Sequence, residues 1–245
     1  MREVRSEYFV LKPVKKNMTL SDKAYHVLRN AIVCNELVPG DVLTEEKLCA
    51  ELSISRTPIR AALRRLVEDG LAEVRGKSVT VSRLTEEDTS SINVVRRAME
   101  LLTMNELRGR VTPMLIRKLR DSIEEQKSCR MADADDYIYY IQQDYVFHTT
   151  LAEATGNRFL LDVVERLNTH STRCLMLSTT LFSSSKPAVA EHTAIVDALE
   201  REEYDRAYQA MEDHLRQIKA RYFDETIVET QASEEPVPQD EQADE

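Results

Sequence analysis

Long apolar runs are missing from this 245-residue chain, and none approaches the roughly 20 residues that a membrane-spanning helix requires. The start, Met1-Arg2-Glu3-Val4-Arg5, leads into no apolar signal core. Both absences predict a cytoplasmic protein. Cysteine is sparse: Cys34, Cys49, Cys129 and Cys174 stand far apart and offer neither a disulfide framework nor a Cys-x-x-Cys metal site. The expectation is four buried thiols in a reducing compartment. From Thr85 onward Gly109 and Gly156 are the only glycines, so little interrupts helix there. No internal repeat is present.

Charge of one sign is also absent where it matters. Residues 224–245 hold nine acids and no base, together with Pro236 and Pro238, a composition that predicts a disordered acidic tail. The whole chain is acidic, at a formal −10, which by itself argues against a nucleic-acid partner. Its distribution reverses that reading. Residues 1–83 hold 15 Lys/Arg against 11 Asp/Glu, whereas residues 84–223 hold 18 against 23. The basic excess sits at the amino end, where phosphate contact would need it.

That end carries the most informative stretch, Ile54-Ser55-Arg56-Thr57-Pro58-Ile59-Arg60. Residues 1–18 are polar and basic and predict a flexible arm. Helices follow over about 20–34, where Ala24, Leu28, Ala31 and Ile32 recur at helical spacing, and over 45–52. Pro39-Gly40 signals a turn between them. A further helix over about 57–68 can be capped by Ser55 or Thr57, takes Pro58 in its first turn, and closes at Gly70. Arg56 and Arg60 lie four residues apart and so share a face. Residues 71–75 and 78–82 alternate around Gly76-Lys77, which predicts a hairpin with Arg75 and Lys77 at its tip. A short helix, a cationic second helix and a hairpin make a winged helix-turn-helix over 19–83, and its second helix would read the DNA major groove. Beyond it, helices are predicted over about 86–109, 113–130, 135–154, 158–179, 187–201 and 204–223, with Pro113 and Pro187 at connections. The fold class is therefore mainly α: a winged helix-turn-helix followed by an all-α bundle over 84–223.

Four of the five histidines lie in that bundle. Asp144 and His148 are spaced i, i+4 and share a helical face. His192 and His214 fall on the last two predicted helices. Bundle cores can assemble such side chains into metal sites. Three imidazoles and a carboxylate suit Zn²⁺, and also Ni²⁺, Fe²⁺ or Mn²⁺. Against this stands the plain alternative of histidines satisfied singly in a core. His26 and His170 fit no such site.

These motifs resemble a known family. Leu37-Val38-Pro39-Gly40-Asp41-Val42-Leu43-Thr44-Glu45, Leu52 to Leu63 and Leu66-Val67-Glu68-Asp69-Gly70-Leu71 are similar to the winged helix-turn-helix of GntR-family bacterial transcription regulators. Asp144 to His148 with Gly156-Asn157, Glu191 to Ile195, and His214-Leu215 resemble the helical effector domain of the FadR-type branch, the FCD domain. Together they span about residues 19–222.

The resemblance implies a homodimeric, ligand-responsive regulator that binds double-stranded operator DNA and has no membrane association. Two recognition helices about 34 Å apart would call for a pseudo-palindromic operator. DNA contacts carry over to Ser55, Arg56, Thr57 and Arg60, with Arg75, Gly76 and Lys77 at the wing. Metal ligands carry over to Asp144, His148, His192 and His214, with zinc the leading ion. Arg96, the first residue of an Arg-x-x-x-Glu element ending at Glu100, carries over as a pocket residue suited to a small carboxylate effector; Arg97 competes for that register. Two positions depart from the family pattern. Glu46 stands where an arginine is common, with Lys47 beside it. Ser53 replaces the usual glycine of the helix-turn-helix turn, so that turn is made without glycine's ease at φ > 0. Rival readings are a metal-dependent hydrolase, a metal that only staples the bundle, and an acyl-thioester effector. Against the hydrolase, the sequence shows no positioned general base and no oxyanion-hole signal.

Overall fold

The computed structural model describes residues 18–132, 134–178 and 181–224. Apart from Met18 and Asp224, the arm and the acidic tail lie outside them. The described residues form two compact units. One gathers those up to Asn30 with Asp41–Val81; the other gathers Ala31–Gly40 with those from Ser82 onward.

In the first unit α1 (Leu20–Val33, its last three residues belonging to the other unit), α2 (Glu45–Leu52) and α3 (Arg56–Glu68) precede a hairpin of β1 (Ala72–Arg75) and β2 (Ser78–Val81). Helix α1 starts at a reciprocal pair: Asp22 N–H donates to Thr19 Oγ1 and Thr19 N–H to Asp22 Oδ2, both at 3.1 Å. Helix α3 buries Ile59, Ala62, Leu63 and Leu66. That i, i+3, i+4, i+7 stripe seats one side in the core and leaves the other for water or a ligand. Its end is a Schellman closure: Gly70 N–H bonds Val67 O at 3.0 Å, and Leu71 N–H bonds Leu66 O at 2.9 Å. Gly70 takes the positive φ of 75° that this closure requires, and Leu71 is fully buried beyond it. The hairpin is antiparallel with Arg75 opposite Ser78, so Gly76-Lys77 forms a two-residue turn.

Ser53 adopts the left-handed conformation despite its side chain, with φ 54° and ψ 39°. The α2–α3 turn therefore keeps the backbone that glycine would take freely.

The second unit holds α4 (Glu86–Glu106), α5 (Pro113–Ser128), α6 (Ala134–Ala154), α7 (Arg158–Leu177), α8 (Leu181–Glu200) and α9 (Tyr204–Asp224). The starts are legible chemically. Thr85 and Asp88 form a capping box, Thr112 caps α5 with Pro113 in its first turn, and Asn157 caps α7. The helices pack in a closed cycle, α4 on α7, α7 on α6, α6 on α5, α5 on α8, α8 on α9 and α9 back on α4. Leu101, Met104, Leu119, Ile123, Phe147, Leu151, Leu199 and Met211 fill the main apolar core.

Three expectations need correction. Pro187 lies inside α8 rather than at its start, because the helix begins at Leu181. Proline forfeits one i→i−4 hydrogen bond, a loss that α8 absorbs near its beginning. Among the cysteines only Cys174 is buried; Cys34, Cys49 and Cys129 are partly exposed. Helix α4 stops at Glu106 rather than at 109, and Gly109 takes a positive φ of 72° just beyond.

Because αL geometry costs an L-residue about 1–2 kcal/mol, which Ser53 already bears, and suits β-branched residues worst, Ser53→Gly should raise stability by up to about that amount, whereas Ser53→Val should lower it. Urea denaturation followed by circular dichroism checks this; equal losses for both variants would contradict the backbone argument.

Candidate metal centre and nucleic-acid interface

The residues expected to meet DNA lie on one unit. Ser55 is the N-cap residue of α3, and its hydroxyl makes no capping bond to the helix. Ser55, Arg56, Thr57 and Arg60 are all exposed, outside the buried Ile59–Leu66 stripe. Arg60 is held: its Nε donates to Glu45 Oε1 of α2 at 2.7 Å. At the wing Arg75 pairs with Glu73 at 2.8 Å, Gly76 has φ 60°, and Lys77 is exposed at the turn. Lys47 lies 3.8 Å from Glu51. The sequence reading missed Glu45 as the partner of Arg60, because pairing between α2 and α3 is tertiary.

In the helical unit the cycle of helices brings His148 (α6), His192 (α8) and His214 (α9) together. One ligand nitrogen of each lies within 4.8 Å of the others, and all three residues are buried. Asp144 stands at the edge of this group, its Oδ1 3.6 Å from His192 Nε2. Phe147 stacks on the His192 ring, with centroids 4.1 Å apart, which fixes the ring plane.

Two of the imidazoles are hydrogen-bonded at Nδ1, and the third meets a carboxylate there. His192 Nδ1 lies 2.9 Å from Gln126 Oε1 of α5. Gln126 Nε2 faces the Gln143 carbonyl at 3.3 Å, an acceptor only, so the amide oxygen must face His192 and Nδ1 carries the proton. His214 Nδ1 is 2.7 Å from Glu191 Oε2, and His148 Nδ1 is 2.5 Å from Glu100 Oε2. Arg96 Nη2 can only donate, so His148 Nε2 accepts from it and the His148 proton also lies on Nδ1, which makes Nε2 the lone-pair nitrogen of all three rings. His192 Nε2 and His214 Nε2 face one another at 3.3 Å. Two lone pairs at that distance repel unless a cation or a proton sits between them. Nitrogens bound about 2.0–2.1 Å from one tetrahedral zinc lie about 3.3 Å apart. The donor set and its spacing fit a divalent metal, and the triad could hold one.

Arg96 of α4 reaches the same centre and is almost fully buried. Its Nε donates to Glu100 Oε1 at 2.6 Å, Nη1 to Ser171 Oγ of α7 at 2.6 Å, and Nη2 to His148 Nε2 at 3.0 Å. Arg97 points outward to Glu212, so the Arg-x-x-x-Glu register belongs to Arg96. Burial would raise the Glu100 carboxyl, but Arg96 and then His148 overcome it and hold the group well below the usual carboxylate range. For His214, burial outweighs the bond to Glu191 and pushes the imidazole down, toward the neutral form that ligates metals. All six helices thus supply the centre or its immediate support. The sequence pointed to the three histidines that meet here, to Asp144 at their edge and, through the family resemblance, to Glu100. Gln126 and Ser171 left no local signal.

Residues 20–81 match the family model of bacterial regulatory proteins of the gntR family, and residues 91–217 match the FCD domain. The chain belongs to the GntR family and carries an FCD domain. This GntR regulator is 30% identical over 197 residues to the HTH-type transcriptional regulator in unstable DNA locus of Streptomyces ambofaciens, covering 79% of this chain and 81% of that one. It is 30% identical over 152 residues to the gluconate operon transcriptional repressor of Bacillus licheniformis, covering 62% and 61%. Among solved structures, E. coli McbR/YncC superposes with a TM-score of 0.74 at 19% identity, over 85% of this chain and 99% of that one, and so shares the fold. The family consists of transcription regulators rather than enzymes, which removes the hydrolase reading. No helix among the described residues is long and apolar enough to cross a membrane.

Removing one partner of a buried ion pair strands the other charge, at a cost of about 3–5 kcal/mol. Arg96→Met should therefore destabilise the FCD domain by about that much, and Arg96→Met with Glu100→Met should recover part of the loss. Denaturant titration measures both; a double variant no more stable than Arg96→Met would contradict the pairing.

Proposed function

We propose that this GntR regulator is a homodimeric cytoplasmic repressor whose operator affinity is set by a small organic acid bound beside a divalent metal, zinc by preference, in the FCD domain. The observation that carries the reading is the buried imidazole triad with Arg96 at its side. His148, His192, His214 and Asp144 would hold the metal, which when bound supplies a positive centre with room for an oxygen ligand. With His148 Nε2 so engaged, Arg96 would be left with a guanidinium edge for a carboxylate, a charge-assisted contact. The name of the B. licheniformis relative refers to gluconate, itself a small carboxylate, and to repression.

Effector binding alters DNA affinity only if it favours one arrangement of the protein over another. Helix α7 offers a path for that bias. Ser171 bonds Arg96, and two residues later the buried Arg173 donates to Ser82 Oγ at 2.8 Å and to the Ser82 carbonyl. Ser82 follows directly on the last residue of β2. A shift of Arg96 toward a carboxylate would release Ser171 and, through α7, change the grip on the connecting segment. On the operator side Arg56 and Arg60 would read guanine or phosphate, with Ser55, Thr57, Arg75, Gly76 and Lys77 completing the contacts. A bidentate base contact is worth about 1–3 kcal/mol.

Arg60→Ala should therefore weaken operator binding by about 5- to 150-fold in gel-shift titrations, while zinc per protomer by elemental analysis stays at the wild-type value. Unchanged DNA affinity, or zinc lost with Arg60, would overturn the two-module account. Chelator treatment of the wild type should abolish the response to carboxylates such as gluconate; a response that survives would assign the metal a purely structural role.

A further inference from the structure

A second concavity opens in the helical unit on the other side of His192. Gln126 lines it and meets His192 at Nδ1, the ring edge turned away from His214. The cavity has a volume of about 340 Å³, within the range of about 300–1,000 Å³ typical of small-molecule sites. It lies between the end of α5 with the loop that follows, α6 and α8. Met131, Tyr140 and Val189 give it an apolar lining, while Arg130 and Lys186 bring two cations to it and Lys127 a third whose charge is shared with Glu124 at 2.8 Å. No acidic side chain is among its described lining residues. That composition runs against its surroundings, since residues 84–223 hold 18 bases and 23 acids.

The chemistry is specific in two respects. Cations gathered around a concavity with low-dielectric walls focus a positive potential and concentrate anions there. Inorganic phosphate or a bare carboxylate would satisfy that field but make no contact with the apolar part of the lining, Val189 with the edges of Met131 and Tyr140. A neutral apolar molecule would cover those surfaces but gain nothing from the cations. Met131 and Tyr140 are almost fully buried, so a ligand would meet a formed wall rather than loose side chains. Tyr140 is fixed further by donating its hydroxyl to the Ser185 carbonyl at 3.3 Å.

We propose that this cavity binds an organic anion with a compact apolar body, the body against Met131, Tyr140 and Val189 and the anionic group toward Lys127, Arg130 and Lys186. The site is distinct from the imidazole centre and does not need a metal, so it stands whether or not the metal-linked reading holds.

Isothermal titration of the chelator-treated full chain with 1-naphthoate tests it. One naphthoate should bind per chain, and 1-naphthalenemethanol and inorganic phosphate should each bind at least ten-fold more weakly. The exposed pair Arg130→Glu with Lys186→Glu should weaken naphthoate at least ten-fold without changing the melting temperature. Reversal of two cations elsewhere, Arg158→Glu with Arg206→Glu, should leave it unchanged. No binding, binding only after zinc is restored, phosphate as tight as naphthoate, or equal loss in both double variants would each overturn the proposal.

Discussion

An imidazole can offer a lone pair at one nitrogen only while the other holds the proton, and a buried ring chooses between them by the hydrogen bond it is given. Here Gln126 and Glu191 make that choice for His192 and His214 at Nδ1, and Arg96, which can only donate, makes it for His148 at Nε2. Protons so placed leave the Nε2 lone pairs of His192 and His214 facing one another across 3.3 Å. An arrangement of this kind is costly without a cation to resolve it. A bundle that needed only satisfied core histidines would gain nothing from aiming three of them at one point.

The rest of the helical unit is arranged to keep that choice. Phe147 holds the His192 ring by stacking, and Gln126 is itself held by Ser122 and the Gln143 carbonyl. Glu100 is shared between His148 and Arg96, which keeps it ionised although it is buried. Such a polar cluster is stable only when each member is satisfied, which accounts for contributions from every helix of the cycle. It also makes Arg96 a point of leverage. Its guanidinium spends its bonds on Glu100, Ser171 and His148 at once, so any ligand that attracts it must redistribute contacts on α4, α6 and α7.

The histidines and Asp144 were legible because metal-site chemistry restricts residue type, and Asp144 and His148 sit at helical spacing. The recognition helix was legible because Ser55, Thr57 and Pro58 mark its start, Gly70 marks its end, and Arg56 and Arg60 share one face. What the sequence could not give was pairing across elements. Nothing local links Gln126 to His192, sixty-six positions later, or Arg173 to Ser82. Pro187 misled for a related reason: proline weakens one hydrogen bond but does not forbid helix where the packing of α8 on α5 and α9 holds it. Ser53 likewise takes a backbone conformation that its residue type disfavours, because the turn between α2 and α3 demands it.

Proton positions on the three rings decide the matter most directly. Long-range proton–nitrogen correlation NMR of the histidine side chains in chelator-treated protein should show the hydrogen on Nδ1 of His148, His192 and His214, with the Nε2 resonances of all three moving when one equivalent of zinc is added. A hydrogen on Nε2 of two or more of these rings, or Nε2 resonances indifferent to zinc, would contradict the account.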